Sequence, residues 1–331
     1  MKIVLDAMGG DHAPPVAVEG GVWAAREYGI EVVLVGREED ARRELARYDT
    51  SGLSWPIVHA SQVIEMEEHP AAAVKAKKDS SMVVGMDMVK RGEADAFVTM
   101  GNSGGALAAA LFRLGRIRGI RRPALSTVYP TTTGFCFMLD VGATTDCKPE
   151  YLLQFGMMGA VYAERVLGVA NPRVGIVSNG EEEGKGSILV QEAYQLLKAS
   201  PLNFVGNLEG KDIAPGLADV VVTDGFTGNV IVKLSEGLAA SLMGIIKDEV
   251  KKSLLTTVGA LLSKPAFDQV KKRLDYAEYG GAPLLGVNGV VIVGHGRSNA
   301  KAVKNAVRVA KRAVEGGMLA AIKEGLQDRR V

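Results

Sequence analysis

The 331-residue chain is poor in cysteine and histidine, with two of the first and four of the second. Two thiols cannot build the disulfide framework of a small secreted fold, so Cys136 and Cys147 are read as reduced and the expected compartment is cytoplasmic. So few thiols and imidazoles, scattered along the chain, form no metal-ligand spacing, and neither a metal nor another cofactor is expected. Charge of one sign is lacking too. Thirty-nine Lys and Arg against 38 Asp and Glu leave a net charge of +1, which speaks against nucleic acid as a partner. No apolar run approaches the roughly 20 residues of a membrane span. The chain also opens on a strand-like segment rather than on a leader.

Glycine, by contrast, is abundant at 40 residues, and much of it gathers where strands give way to helices. Val220, Val221 and Val222 form a β-branched run that reads as a buried strand. Asp224, Gly225, Thr227, Gly228 and Asn229 follow as a short polar loop, and helical spacing resumes at Val230, Leu234 and Leu238. A loop between a strand's carboxyl end and a helix start offers free N–H groups and the positive end of the helix dipole to anions. The pattern recurs. Phe97-Val-Thr-Met100 leads into Gly101-Asn-Ser-Gly-Gly105, and Val174-Gly-Ile-Val177 into Ser178-Asn-Gly-Glu-Glu-Glu-Gly-Lys-Gly186. Val290-Val-Ile-Val293 leads into Gly294-His-Gly-Arg-Ser298, and Ile3-Val-Leu-Asp6 into Ala7-Met-Gly-Gly-Asp-His12, just before Pro14 and Pro15. None is a Walker loop or a GxGxxG fingerprint. Together the five predict one rim around a cleft for a phosphorylated or otherwise anionic ligand.

Strands are expected near 2–6, 31–35, 56–59, 95–99, 134–140, 173–177, 203–206, 219–223 and 290–293. Their alternation with helices predicts a largely parallel sheet covered on both faces. The segment 134–140 lacks a preceding helix and is expected to pair antiparallel with 125–129. No low-complexity linker divides the chain, so 1–331 is read as one α/β/α domain with a helical excursion over 235–275. Within that excursion Leu254, Leu255, Val258, Leu261 and Leu262 form an apolar stripe near Lys251, Lys252 and Lys264. Such a stripe fits a membrane-surface helix, a dimer interface or a core hairpin.

Several stretches resemble the bacterial phosphate acyltransferases of phospholipid synthesis, the PlsX family. They are Asp6-Ala-Met-Gly-Gly-Asp-His12, Lys77-Lys-Asp-Ser-Ser-Met82, Leu139-Asp-Val-Gly142 and Asp146-Cys-Lys-Pro149, then Ser178-Asn-Gly-Glu-Glu-Glu183, Asp224-Gly-Phe-Thr-Gly-Asn229, and Gly280-Gly-Ala-Pro-Leu-Leu-Gly286 with Gly294-His-Gly296. The matches run in order from residue 3 to about 310. Residues 102–104 and 143–145 depart from the expected pattern. The resemblance implies a three-layer α/β/α sandwich like that of phosphate acetyltransferases and isocitrate or isopropylmalate dehydrogenases. It implies transfer of a fatty acyl group from acyl carrier protein to inorganic phosphate, usually by a homodimer. The acyl phosphate would pass to a membrane glycerol-3-phosphate acyltransferase, which gives the apolar stripe a membrane role.

Such a reaction needs no enzyme nucleophile, since phosphate is itself an anionic oxygen nucleophile. The protein must gather phosphate and stabilise the tetrahedral oxyanion. Lys185, between two glycines, is the candidate for neutralising phosphate, with Glu181, Glu182 and Glu183 as loop-ordering groups or its partners. Asn229 is the candidate neutral donor, with a helix N-cap as its structural alternative. Asp6, Gly9, Gly10, His12, Asn102, Ser103, Asn179, Asp224, Thr227, Gly228, His295 and Ser298 complete the expected phosphate- and substrate-binding set. Two other readings compete: a metal- and NAD-dependent decarboxylating dehydrogenase, and a non-catalytic module that binds acyl carrier protein at a membrane surface.

Overall fold

A computed structural model describes residues 1–328. Its elements begin β1 (Lys2–Asp6), α1 (Pro15–Tyr28), β2 (Glu31–Gly36), α2 (Glu38–Leu45), β3 (Ile57–His59), α3 (Pro70–Ala76), α4 (Ser81–Lys90), β4 (Ala96–Thr99) and α5 (Ser103–Arg113). Then come β5 (Ala124–Thr131), β6 (Gly134–Leu139), α6 (Pro149–Arg165), β7 (Arg173–Val177), α7 (Ile188–Lys198), β8 (Asn203–Leu208), α8 (Gly210–Ile213) and β9 (Val220–Val222). Helices α9 (Gly225–Val250), α10 (Leu254–Leu262), α11 (Lys264–Leu274) and α12 (Tyr276–Tyr279) follow, and β10 (Ala282–Leu285), β11 (Val290–Val293), α13 (Ala300–Glu315) and α14 (Met318–Asp328) close the chain.

The strands form one 11-stranded sheet in the order β3-β2-β1-β4-β11-β10-β5-β6-β9-β7-β8. Ile3, Val4, Leu5 and Val220, Val221, Val222 are wholly buried, as strands covered on both faces must be. One continuous apolar core joins Ile3 and Leu5 to Phe137, Val220 and Leu285 across the whole sheet.

All nine expected strands are present, and β5 pairs antiparallel with β6 as expected. The short β10 escapes sequence reading because Pro283 interrupts a run of only four residues. It separates β11 from β5 without changing their common direction, because its two reversals cancel. β10 is antiparallel to both β11 and β5, and β5 to β6. Three reversals leave β1, β4 and β11 running one way and β6, β9 and β7 the other. The carboxyl ends of the two groups therefore lie at opposite edges of the sheet.

Helix α9 crosses between these edges. Its first turn packs at the β6 edge, where Gly225 N–H donates to the Thr144 carbonyl. Ten residues on, Ser235 hydrogen-bonds Tyr129 of β5, and Glu236 ion-pairs with His295 and Arg297 beyond the end of β11. The helix then overshoots the sheet, and α10 and α11 lead back to Asp275, which holds Lys301 of α13. The excursion thus projects from the β11 edge. By length and composition α9 is able to cross a membrane, with an 18-residue window of mean hydropathy 1.4 and no buried residue. Sequence reading missed this because Lys233 and Glu236 break the apolar run. The bonds of Ser235 and Glu236 instead tie its middle to the sheet.

Candidate active site

The β6 edge holds the more elaborate arrangement. Asp140, wholly buried after β6, accepts N–H bonds from Leu125, Gly142, Ala143 and Thr144 at 2.6–3.1 Å, winding residues 140–144 around one carboxylate. Burial pushes its pKa up to about 6, against the opposing pull of those N–H groups. The start of α9 rests on this loop. A Cβ on Gly225 would lie 2.7 Å from the Thr144 carbonyl, and one on Gly228 would collide with the Asp140 carbonyl, so both positions require glycine.

Asp224, not Asn229, caps α9. Its carboxylate accepts from the N–H groups of Phe226 and Thr227 and from the Thr227 hydroxyl. The helix begins at Gly225, earlier than the apolar spacing implied, which moves Asn229 into the second turn. There its amide donates to the Val141 carbonyl at 3.1 Å, with one N–H left over on an exposed side chain. Asn229 is thereby held against the 140–144 loop.

On the neighbouring β7 loop, Asn179 accepts from Gly186 N–H and closes a turn around Lys185. The three glutamates do not serve Lys185. Glu183 pairs with Lys198, Glu181 with Lys211, and the backbone carbonyl of Glu182 accepts from Lys185 N–H and from Asn207. The exposed ammonium of Lys185 has no acidic partner among the described residues. Close to Gly186, the buried hydroxyl of Ser178 has no hydrogen-bond partner among the described residues. Glu181, Glu209 and Asp212 bring carboxylate oxygens within 4.8 Å of one another, an acidic group that sequence spacing did not announce. The Lys211 ammonium lies 2.5 Å from Glu209, and Asp212 is engaged in a capping box.

The remaining expected residues assemble at the opposite edge, so the single rim is corrected to two loop clusters. At the β11 edge Asp6 accepts from Thr99 and from Met8 N–H, and Gly9 fits where a Cβ would lie 2.7–2.8 Å from Asp6, Thr99 and Gly101. Gly10 abuts Gly296. Asn102 is not a free ligand: its amide donates to the carbonyls of Glu65, Met66 and Glu68, and its oxygen caps α5 at Gly105. His12 and Ser103 are exposed on this rim. His295 faces Glu236, whose pKa it lowers, and the buried Ser298 hydroxyl has no hydrogen-bond partner among the described residues. The distance along α9 from Gly225 to Glu236 is about 16 Å at 1.5 Å per residue. That is too far for one phosphate to touch both rims.

Asp140 is the residue that sequence reasoning left out of the site. It stood inside a quoted motif, but only the fold brings four N–H groups to it.

A family model described as fatty acid synthesis protein matches residues 1–321. A phosphate acyltransferase of Pelotomaculum thermopropionicum is 54% identical over 327 residues, 99% of this chain and 95% of that protein. One of Alkaliphilus oremlandii is 52% identical over 98% of this chain and 97% of its own. A phosphotransacetylase structure from Streptococcus pyogenes superposes with a TM-score of 0.64 at 17% identity, covering 95% of this chain and 94% of that one, which establishes a shared fold.

Proposed function

The chain belongs to the fatty acid synthesis protein family, and from that membership we infer that it is a phosphate acyltransferase, placing an acyl group on inorganic phosphate for phospholipid synthesis. A dehydrogenase or a non-catalytic module on this fold is not favoured by relatives of this identity and name. The donor in this reading is acyl carrier protein. A phosphate oxygen attacks the thioester carbonyl, a tetrahedral oxyanion forms, and its collapse expels the carrier thiolate. The thiol has a pKa of roughly 8.5, so it leaves without a strong acid.

The observation that carries the assignment of chemistry to the β6 edge is the Lys185 ammonium, exposed and without an acidic partner among the described residues, while Glu181 and Glu183 pair with other lysines. An unneutralised cation between two glycines suits a dianionic nucleophile. Asn229, with one N–H free beside the 140–144 loop, suits the developing oxyanion. Asp140 positions both the loop and the start of α9.

Two further features belong to this reading. The apolar stripe of α9, with Leu234, Leu238, Leu242 and Ile245 at least half exposed, suits a second copy of the chain, hence a homodimer. Leu254, Leu255, Leu261 and Leu262 are 70–83% exposed on a helix with no buried residue, and the half-exposed Val258 lies among them. With nearby lysines they suit a membrane surface, where the product would meet a glycerol-3-phosphate acyltransferase.

The test is release of carrier thiol from long-chain acyl carrier protein with and without phosphate. Release is expected only with phosphate, and Lys185→Ala is expected to slow it at least about a hundredfold with melting temperature unchanged. Phosphate-independent release would refute the reaction, and near-normal turnover would remove Lys185 from it.

A further inference from the structure

Five arginines fall within ten residues at the end of α5 and in the loop before β5: Arg113, Arg116, Arg118, Arg121 and Arg122. Arg113 is paired with Asp87. The other four are exposed and make no ion pair among the described residues, although the chain as a whole is almost neutral. Arg116 and Arg121 line two adjoining cavities of about 500 and 630 Å³. Arg122, Phe112 and Tyr151 share the first, while Glu150, at the start of α6, is the one acidic wall of the second. Phe112 is 48% exposed, so the surface offers a hydrophobic foothold inside a ring of cations.

Its place in the fold gives the patch a purpose. Pro123, next to Arg122, accepts a bond from the Thr144 hydroxyl, and Leu125 N–H donates to Asp140. The arginines therefore border the 140–144 loop, on the β6 edge with Asn229. The helical excursion projects from the other edge. Val250 lies about 38 Å along α9 from Gly225 at 1.5 Å per residue. A bilayer under α10 would leave the arginines facing the aqueous side.

We propose that this arginine patch docks the protein that carries the acyl thioester, an acidic surface presented beside the β6-edge loops so that its prosthetic arm reaches Asn229. The proposal rests on the acyl carrier donor inferred above. A cationic, partly apolar and solvent-facing patch beside the reacting loops matches an acidic helical partner, whose negative field it would steer. Arg116 donates to the Arg121 carbonyl and so also shapes the loop, which leaves Arg121 and Arg122 as the side chains to alter.

Kinetics of the whole enzyme with two donors decide the matter: acyl carrier protein, and an acyl pantetheine thioester that lacks the protein. Arg121→Glu with Arg122→Glu is expected to raise KM for acyl carrier protein about tenfold or more, as loss of steering charges does. Turnover with acyl pantetheine should not change. Raised salt should weaken wild-type use of the carrier but not of the thioester. Should the double Glu variant not fold, Arg121→Gln with Arg122→Gln removes the two charges without adding negative ones and answers the same question. An unchanged KM for the carrier overturns the patch alone. Equal loss with both donors would assign the arginines to the reacting centre, and loss of anionic vesicle binding with an intact carrier KM would assign them to lipid. A wild-type enzyme that uses only the small thioester would overturn the donor reading and the patch with it.

Discussion

Asp140 gathers the N–H groups of Leu125, Gly142, Ala143 and Thr144 around one buried carboxylate, and its ionisation is therefore coupled to the site. Its pKa is raised from an ordinary 3.8 to about 6, chiefly by burial. A folded value above the unfolded one means that the group stabilises the protein fully below about pH 4, and that this contribution is lost as pH rises through about 6. The lost contribution is ~3 kcal/mol. In Asp140→Asn that titration is gone. The stability advantage of wild type over the variant, from urea unfolding, is expected to shrink between pH 4 and pH 7. A gap that is constant or grows would refute the coupling. Independently of pH, the variant should lose activity, because an amide NH₂ faces the Thr144 N–H that the carboxylate accepted.

Helices α9, α10 and α11 show how little an apolar spacing says about what it meets. Leu254 and Leu261 have the same helical spacing as a core stripe, yet they are 82% and 70% exposed. Leu254→Glu with Leu261→Glu should therefore leave a folded, active enzyme, since no buried charge is created. The same variant is expected to lose sedimentation with anionic vesicles, and wild-type binding should weaken with salt. An unfolded variant would place the stripe in a covered interface, and wild type that never sediments would remove the membrane role. The N-terminal turn of α9 is the opposite case. Gly225 and Gly228 are packed so closely on the Asp140 loop that the helix start is immobilised by contact with its backbone.

At the scale of the molecule, α9 is the feature that the single chain leaves unfinished. It crosses from one sheet edge to the other with Phe226, Val230, Leu234, Leu238 and Leu242 48–68% exposed in a row. A second copy packing along this row would bury it. Leu238→Glu with Leu242→Glu is expected to yield a monomer in sedimentation velocity, where wild type sediments as a dimer. A variant that remains dimeric, or a monomeric wild type, would return the row to another use. Dimer formation would also bring more surface to the two loop clusters that α9 separates.

The alternation of β-branched runs with helical spacing determined the parallel strands and the polar loops between them, because a strand buried on both faces and a helix buried on one leave different periodicities. Local spacing likewise marked Lys185 as a flexible cation and residues 254–262 as an apolar face. Sheet direction was beyond it. The two reversals at β10 cancel, so it is the antiparallel β5–β6 pair, set mid-sheet between the β11 and β9 groups, that sends Asp6, His12 and His295 to one edge and Lys185 and Asn229 to the other. Partnership was beyond it as well: the glutamates beside Lys185 in sequence pair with Lys198 and Lys211, and Asp140 draws a donor from the start of a neighbouring strand. Periodicity records burial, which each residue carries in its own chemistry. Orientation and pairing depend on which distant segments the fold brings within hydrogen-bond reach, and only the tertiary structure decides that.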